Sequence, residues 1–326
     1  MIVPDHWAEA RRVLRTIGGQ VTVRRFGWSE SSHLDAQSMA EIRAEEASQR
    51  ILSGEKLSKR EQKVPYNGAD GVPIREEVLA RYGEEVITRN GYGAHCLNSP
   101  RVLFADIDFA TKRLLWPSVL AFALLAAASI GIGIWLRKGW VTAALLLVAF
   151  LFAVLMAESL SRLVQKSTDT LEAIAREKIV AFVAANRAWN LRLYRTPAGY
   201  RVLATHQTFD PRSEEVRRFF AALAVDPVYV RMCIRQNCFR ARLTAKPWRA
   251  GIPDHIRPRP GVWPVREESL PIRMAWIAKY EQKASEFAAC RYVESLGSGR
   301  VDSSLRPVIE MHDRESRALA LELPIA

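Results

Sequence analysis

The chain has 326 residues, a formal net charge of +12 and four cysteines, and its mean hydropathy is −0.07. So few cysteines in a chain of this length exclude a small disulfide-held scaffold, and we expect reduced thiols in a cytoplasmic protein. The near-zero hydropathy excludes a chain that lies wholly in a membrane. The positive charge favours anionic partners, namely nucleic acid, nucleotides or anionic lipid headgroups.

The first part of the chain is predicted to be mainly helical. The first thirty residues contain no apolar h-region, so no secretory signal peptide is expected. Amphipathic helices are predicted over residues 5–16 and 35–53, and a short helix over residues 74–82. Strands are predicted over residues 85–88 and 101–109, where β-branched and aromatic residues are enriched.

Two strongly apolar stretches in mid-sequence are each long enough to cross a bilayer. Residues 114–136 contain no charged side chain, and residues 140–160 contain one, Glu158. At 1.5 Å per residue each helix would span about 30 Å. Their short connection predicts an antiparallel hairpin, with both flanking segments on one side of the membrane. Because the flanks carry more lysine and arginine than the tip, we predict a multi-pass protein of the inner (cytoplasmic) membrane with cytoplasmic soluble parts.

Strands and helices also alternate after the hairpin. A helix is predicted either to begin at Thr168 or to continue the second apolar stretch, and it ends near Arg187. A β-hairpin over residues 191–205, a helix over 213–223 and one or two strands within 228–243 follow. A proline-rich loop over 249–265 precedes helices over 270–295 and 312–323. This order predicts an α/β or α+β fold.

The sequence predicts five regions. They are an N-terminal helical region (1–84), the first part of a catalytic-like α/β domain (85–113), the transmembrane hairpin (114–160), the second part of that domain (161–250), and a C-terminal proline-rich loop with helices (251–326).

An acid-x-acid motif is the first candidate for chemistry. Asp106 and Asp108 lie two residues apart on a predicted apolar strand, so both carboxylates project from the same face. They would repel each other and lose hydration there, which a divalent cation would relieve. The alternative is a solvated acid pair at the strand's exit.

Two further motifs lie after the hairpin. His206 ends the predicted apolar strand, where it is either a site residue or a structural histidine. Asp226 precedes a strand-like run that contains several basic residues. These are Arg231, Arg235, Arg240, Arg242 and Lys246. Their spacing suits phosphate oxygens, although a polar sheet edge also uses lysine and arginine.

Together these motifs resemble the archaeo-eukaryotic primase superfamily, which includes the primase-polymerases. The core of that family has an acid-x-acid strand, a helix, a strand that ends in small-x-His, and a later acid. The matching residues of this chain are Asp106 and Asp108, Ala204-Thr205-His206, Asp226, Tyr229-Val230, Gln236-Asn237, Phe239-Arg240 and Lys246. The resemblance covers roughly residues 100–250 without the hairpin. It departs from the family where an Asn-Arg pair is replaced by Gln236-Asn237.

The resemblance implies a mixed-sheet, primase-polymerase-like domain that the membrane hairpin interrupts. It also implies a nucleotidyltransferase in which Asp106, Asp108 and Asp226 hold Mg²⁺ or Mn²⁺ and, with His206, form the catalytic set. The residues that would bind the nucleotide are Arg235, Arg240, Arg242 and Lys246.

The sequence leaves three functions open. The first is a membrane-tethered nucleotidyltransferase, which would take nucleoside triphosphates and nucleic acid. The second is a non-catalytic membrane protein on the same fold that binds nucleotide or nucleic acid, and the third is a structural membrane protein.

Because clustered carboxylates without metal repel, replacing both Asp106 and Asp108 by Asn is expected to leave folding intact or improve it. Arg240→Ala is expected to weaken triphosphate binding by a few kcal/mol.

Overall fold

The chain divides into an α/β part and an apolar helical part. The computed structural model describes residues 1–16, 19–56, 73–109, 116–259, 261 and 263–326. Residues 1–108 and 180–326 belong to one unit, which we call the α/β unit, and residues 109–179 belong to a second, which we call the helical unit. The predicted mixed α/β content is confirmed.

Strands and helices both occur along the described parts of the chain. The strands are β1 (His6–Thr16), β2 (Gly19–Ser29), β3 (Glu77–Tyr82), β4 (Glu85–Arg89), β5 (His95–Ser99), β6 (Phe104–Asp108), β7 (Asn190–Thr196), β8 (Gly199–Ala204), β9 (Phe239–Arg242) and β10 (Arg291–Gly297). The α-helices are α1 (His33–Leu52), α2 (Trp116–Leu136), α3 (Gly139–Ala185), α4 (Glu214–Ala222), α5 (Pro227–Gln236), α6 (Leu270–Ala284) and α7 (Arg306–Ser316).

Three sheets form the α/β unit among the described residues. Their strand orders are β1-β2, β10-β7-β8-β6 and β3-β4-β5-β9. Every neighbouring pair in these sheets is antiparallel, so the mixed sheet that we expected is wrong. Short turns, such as those between β3 and β4 and between β7 and β8, join strands that must run in opposite directions. The α+β form of the prediction is the one observed.

Several predicted elements are present. The helix predicted over 35–53 is α1, and the helix over 213–223 is α4. The strands predicted around 85–88 and 101–109 are β4 and β6, and the hairpin after the apolar stretches is β7-β8.

Two segments that were predicted to be helices are strands. Residues 5–16 contain the whole of β1, which pairs with β2 along its whole length, and residues 74–82 contain β3. The N-terminal region 1–84 is therefore not simply helical. Alanine, arginine and glutamate favour a helix in isolation, but cross-strand pairing and burial decide the outcome in the folded chain.

The segment after Asp226 begins as a helix rather than a strand. Helix α5 occupies most of it, and only the short β9 at its end is a strand. The Asp226 side chain caps α5 by accepting a hydrogen bond from the Val228 N–H at 3.0 Å. Pro227 fills the first helical position, where no N–H is needed.

The C-terminal helices also differ from the prediction. The helix predicted over 270–295 ends at Ala284, and β10 follows it. The closing helix, predicted over 312–323, begins earlier as α7. In β10, Tyr292 pairs with Tyr194 of β7, and this pairing with the sheet overrides the helical composition.

Two antiparallel strands position the acidic motif. In the β6–β8 register, Asp106 lies opposite Arg201 and Asp108 lies opposite Gly199. A Cβ atom at Gly199 would lie 1.8 Å from the Ile107 carbonyl oxygen, so only glycine allows the strands to approach this closely. The acids therefore lie beside the β7-β8 turn.

The helical unit contains two helices that are long and apolar enough to cross a membrane. Their most apolar windows, Val119–Leu136 and Gly139–Met156, have mean hydropathies of 2.3 and 2.5, and only 6% of each window is buried. The Phe122 and Phe150 rings contact each other edge to face, with their centroids 6.4 Å apart. Helix α3 continues without a break to Ala185, which is the second of the two alternatives for this region.

Candidate functional site

Asp106 is the partly buried member of the acidic pair, with its side chain 32% exposed. The guanidinium of Arg201 holds its carboxylate with two hydrogen bonds, from Nε to Oδ1 at 2.8 Å and from Nη2 to Oδ2 at 3.2 Å. The Arg201 side chain is 1% exposed, and its Nη1 also donates to the Arg242 carbonyl at 2.8 Å. Because Arg201 is a buried cation, Asp106 acts first as its counter-ion.

Asp108 lies further along the same face and makes no ion pair within the described residues. Partial desolvation raises the pKa of its carboxyl, and the negative charges of Asp106 and Asp226 raise it further. The cationic side chains of Lys246 and Arg249 act in the opposite direction. These interactions place all four charged groups in the neighbourhood of Asp108.

Asp226 approaches the same strand from helix α5. Its backbone N–H donates to the Asp106 carbonyl oxygen at 3.4 Å. The Tyr229 hydroxyl, one turn further along α5, donates to the Phe104 carbonyl at 2.9 Å and lies 3.0 Å from the Arg240 carbonyl. Helix α5 is thereby fixed against both β6 and β9, and the three predicted acids lie together.

A group of cations follows β9. Burial lowers the pKa of the Lys246 ammonium, as do the neighbouring charges of Arg242 and Arg249, whereas Asp108 and Asp106 raise it. Burial and Arg242 also lower the pKa of Arg249. Among the described residues neither Lys246 nor Arg249 forms an ion pair, and the buried Nη1 of Arg249 has no hydrogen-bond partner. We call Asp108, Asp226, Arg242, Lys246 and Arg249 the acid–cation site.

His206 is not brought to these residues. It follows the end of β8, five positions beyond Arg201, which places it roughly 15 Å along the strand from Asp106. Its ring packs against Trp189 and Phe209, with centroid distances of 4.7 and 5.4 Å, and its Nδ1 lies 3.3 Å from the Asn190 N–H. Burial lowers its pKa, as expected for a neutral histidine in an aromatic cluster.

The four predicted nucleotide-binding residues are divided among three places. Arg242 and Lys246 belong to the acid–cation site. Arg240 is buried, and its Nη2 pairs with Glu76 Oε2 at 2.5 Å. Arg235 lines a separate cavity of about 220 Å³.

The acids do not fit a metal site held by protein alone. The described residues include no group of three or more His, Cys, Asp or Glu side chains that could hold a metal ion. Asp106 is engaged by Arg201, and one Asp226 oxygen caps a helix. A magnesium ion that arrives with phosphates would need only one or two protein carboxylates, and Asp108 and the second Asp226 oxygen are the candidates that these contacts leave.

Two residues of this neighbourhood were missed by sequence reasoning. Arg201 stands in an apolar strand, and its interior charge could have been matched to the acidic strand once an antiparallel register was assumed. Arg249 lies three residues after Lys246, but nothing local marks it. No family model, curated protein or solved structure matches this chain, so the primase-like resemblance rests on its motifs.

Proposed function

We propose that this chain is a membrane-anchored protein whose α/β unit binds a magnesium–nucleoside polyphosphate at the acid–cation site. The observation that carries the proposal is the pair of cations, Lys246 and Arg249, which have no ion pair among the described residues and which interact electrostatically with Asp108. Unpaired, partly desolvated cations are costly unless an anion binds between them.

A magnesium-bound polyphosphate suits both the cations and the acids of the acid–cation site. Its oxygens would accept charge-assisted hydrogen bonds from Lys246 and Arg249, and the magnesium ion that accompanies it would lie nearest Asp108 and Asp226. An anion without a cation would be repelled by these acids. The net charge of +12 also attracts polyphosphates to the protein surface.

Loss of the Lys246 charge should weaken this binding. Lys246→Met is expected to reduce the affinity for magnesium ATP about tenfold or more, since a hydrogen bond to a charged group is lost. The free energy of unfolding of the Lys246→Met variant should stay the same or rise, because the lysine ammonium of the wild type is close to two other cations. Calorimetric titration of the full chain in detergent tests this.

Lys279→Met is the matched control, because Lys279 is an exposed lysine on α6. It should bind magnesium ATP like the wild type. The proposal is wrong if the wild type binds neither magnesium ATP nor magnesium tripolyphosphate, or if Lys246→Met binds them as well as the wild type does.

The apolar helices supply the membrane anchor in this proposal. Their side chains are largely exposed, with Trp135 81% and Trp140 72% accessible, and exposed apolar area costs about 25 cal/mol per Å² in water. The contact between Phe122 and Phe150 supports a hairpin in which α2 and the start of α3 run side by side. A bilayer would cover this surface, with the lysine- and arginine-rich flanks in the cytoplasm.

Reporter fusions test the topology. Fusions at Ala326 and near Met1 should both report the cytoplasm, because two spans return the chain to its starting side. A fusion between Arg137 and Gly139 should report the opposite side. If the two terminal fusions report opposite compartments, the hairpin is wrong.

Nucleotidyl transfer of the primase-polymerase type is the second candidate function. The grouping of Asp106, Asp108 and Asp226 near the end of β6 favours nucleotidyl transfer. The positions of His206 and Arg240, away from that group, favour binding without catalysis. Incubation with labelled nucleotides, a primed template and Mg²⁺ or Mn²⁺ distinguishes the two, because only the enzyme would extend the primer.

A further inference from the structure

An exposed tryptophan lies within the cationic segment of the acid–cation site. Trp248 is the central residue of a short 3-10 helix, Pro247–Arg249, and it is 44% exposed. In sequence it stands between Lys246 and Arg249, whose side chains are proposed to hold phosphate. The Lys246 Nζ lies 5.5 Å from the centroid of its ring.

The indole is held in position although it is exposed. The Tyr92 and His255 rings contact it edge to face, with centroid distances of 5.4 and 5.3 Å. In the same segment Pro247 and Ala250 are buried, and the Lys246 carbonyl accepts hydrogen bonds from the N–H groups of Arg249 and Ala250. We call Tyr92, Trp248 and His255 the aromatic ledge.

A rigid, exposed aromatic ring beside phosphate-binding cations is suited to an aromatic ligand group. Every nucleobase has a π face that stacks on tryptophan, and such stacking does not depend on the base. Lysine above an indole is also favourable, so Lys246 is close both to the ring and to the site proposed for phosphate. Inorganic polyphosphate would leave the ledge exposed to water.

We propose that the aromatic ledge binds the base of the ligand by stacking on Trp248, so that the acid–cation site is selective for nucleoside polyphosphates over inorganic polyphosphate. This inference rests on the proposed function, because that function places the phosphates and the inference places the base of the same ligand. The phosphates would contact Lys246 and Arg249. The base would stack on the indole of Trp248, which lies between these two residues in the sequence.

The test compares two probes, magnesium ATP and magnesium tripolyphosphate, by calorimetric titration of the full chain in detergent. The wild type is expected to bind ATP about tenfold more tightly than tripolyphosphate. Trp248→Ala should abolish that preference without changing the affinity for tripolyphosphate, and Trp248→Phe should keep most of it. Tyr82→Ala is the matched control, since Tyr82 is a similarly exposed aromatic residue, at 47%, on β3.

Each outcome separates the two proposals. If tripolyphosphate binds but ATP binds no more tightly, or if Trp248→Ala weakens both probes equally, the stacking role is wrong and the phosphate site stands. If neither probe binds to the wild type, the proposed function fails and the stacking role fails with it. A Trp248→Phe variant as weak towards ATP as Trp248→Ala would also overturn stacking, because phenylalanine retains an aromatic face.

Discussion

Asp106→Asn is expected to destabilise the protein by about 3 kcal/mol, because it would leave the buried Arg201 guanidinium without its counter-ion. Asp108→Asn is expected to leave the free energy of unfolding unchanged or slightly higher. The two acids are neighbours in sequence, but only Asp106 neutralises Arg201, whose side chain is 1% exposed. Unfolding of the single variants by urea, followed by tryptophan fluorescence, measures the difference.

The pH dependence of stability provides a second measurement on the same variants. The pKa of Asp108 is raised above its usual 3.8 in the folded state, so the folded protein binds this proton more tightly than the unfolded chain does. Protonated Asp108 therefore contributes to the free energy of unfolding at low pH. This contribution is lost as the pH rises from 3.8 through the raised pKa of Asp108 in the folded state. Asp108→Asn should lack this loss. Equal effects of the two Asn substitutions on stability would contradict the assignment.

The ion pair between Asp106 and the buried Arg201 argues against the expectation drawn from the sequence alone, in which replacing both acids leaves folding intact or improves it. The period of a strand shows that Asp106 and Asp108 share a face, and the structure agrees. The strand period does not show, however, that a buried arginine lies opposite one of these acids. That pairing depends on the register between β6 and β8, which lie far apart in sequence.

Local patterns predicted the fold where a segment's own composition decides its structure. The β7-β8 hairpin, with Gly199 at its turn, and helix α4, capped by Ser213, are examples. Strand β1 was missed because its alanines and arginines favour a helix, and only its pairing with β2 makes it a strand. The start of α5 could have been found, since Asp226-Pro227 is a helix-start signal.

The candidate site shows the same division. The three acids were predicted and lie together, because two of them share a strand and the third caps a helix packed against it. His206 follows a strand in the predicted way, but it lies well beyond Arg201 in an aromatic cluster. Nothing in a single sequence reports which end of a strand a neighbouring helix approaches.

Arg240 illustrates a basic residue whose partner is distant in sequence. It was predicted to contact triphosphate, yet it is buried and pairs with Glu76. Glu76 is also held by the Thr88 hydroxyl at 2.6 Å, and Thr88 accepts a hydrogen bond from Asn98 at 2.9 Å. This buried network links the segment before β3 to strands β4, β5 and β9, so its role is structural.

Arg240→Ala is therefore expected to destabilise the protein by about 4 kcal/mol, because the carboxylate of Glu76 would remain buried without its cation. Nucleotide affinity should not change, measured by calorimetry under conditions in which the variant is folded. Glu76→Ala should destabilise to a similar degree, and the double variant should lose clearly less than the sum of the two, since both charges are then absent. Arg50→Ala is the control: Arg50 pairs with Glu55 at the exposed end of α1, and its loss should have little effect. A folded, fully stable Arg240→Ala variant with weakened nucleotide binding would show instead that this arginine reaches the ligand.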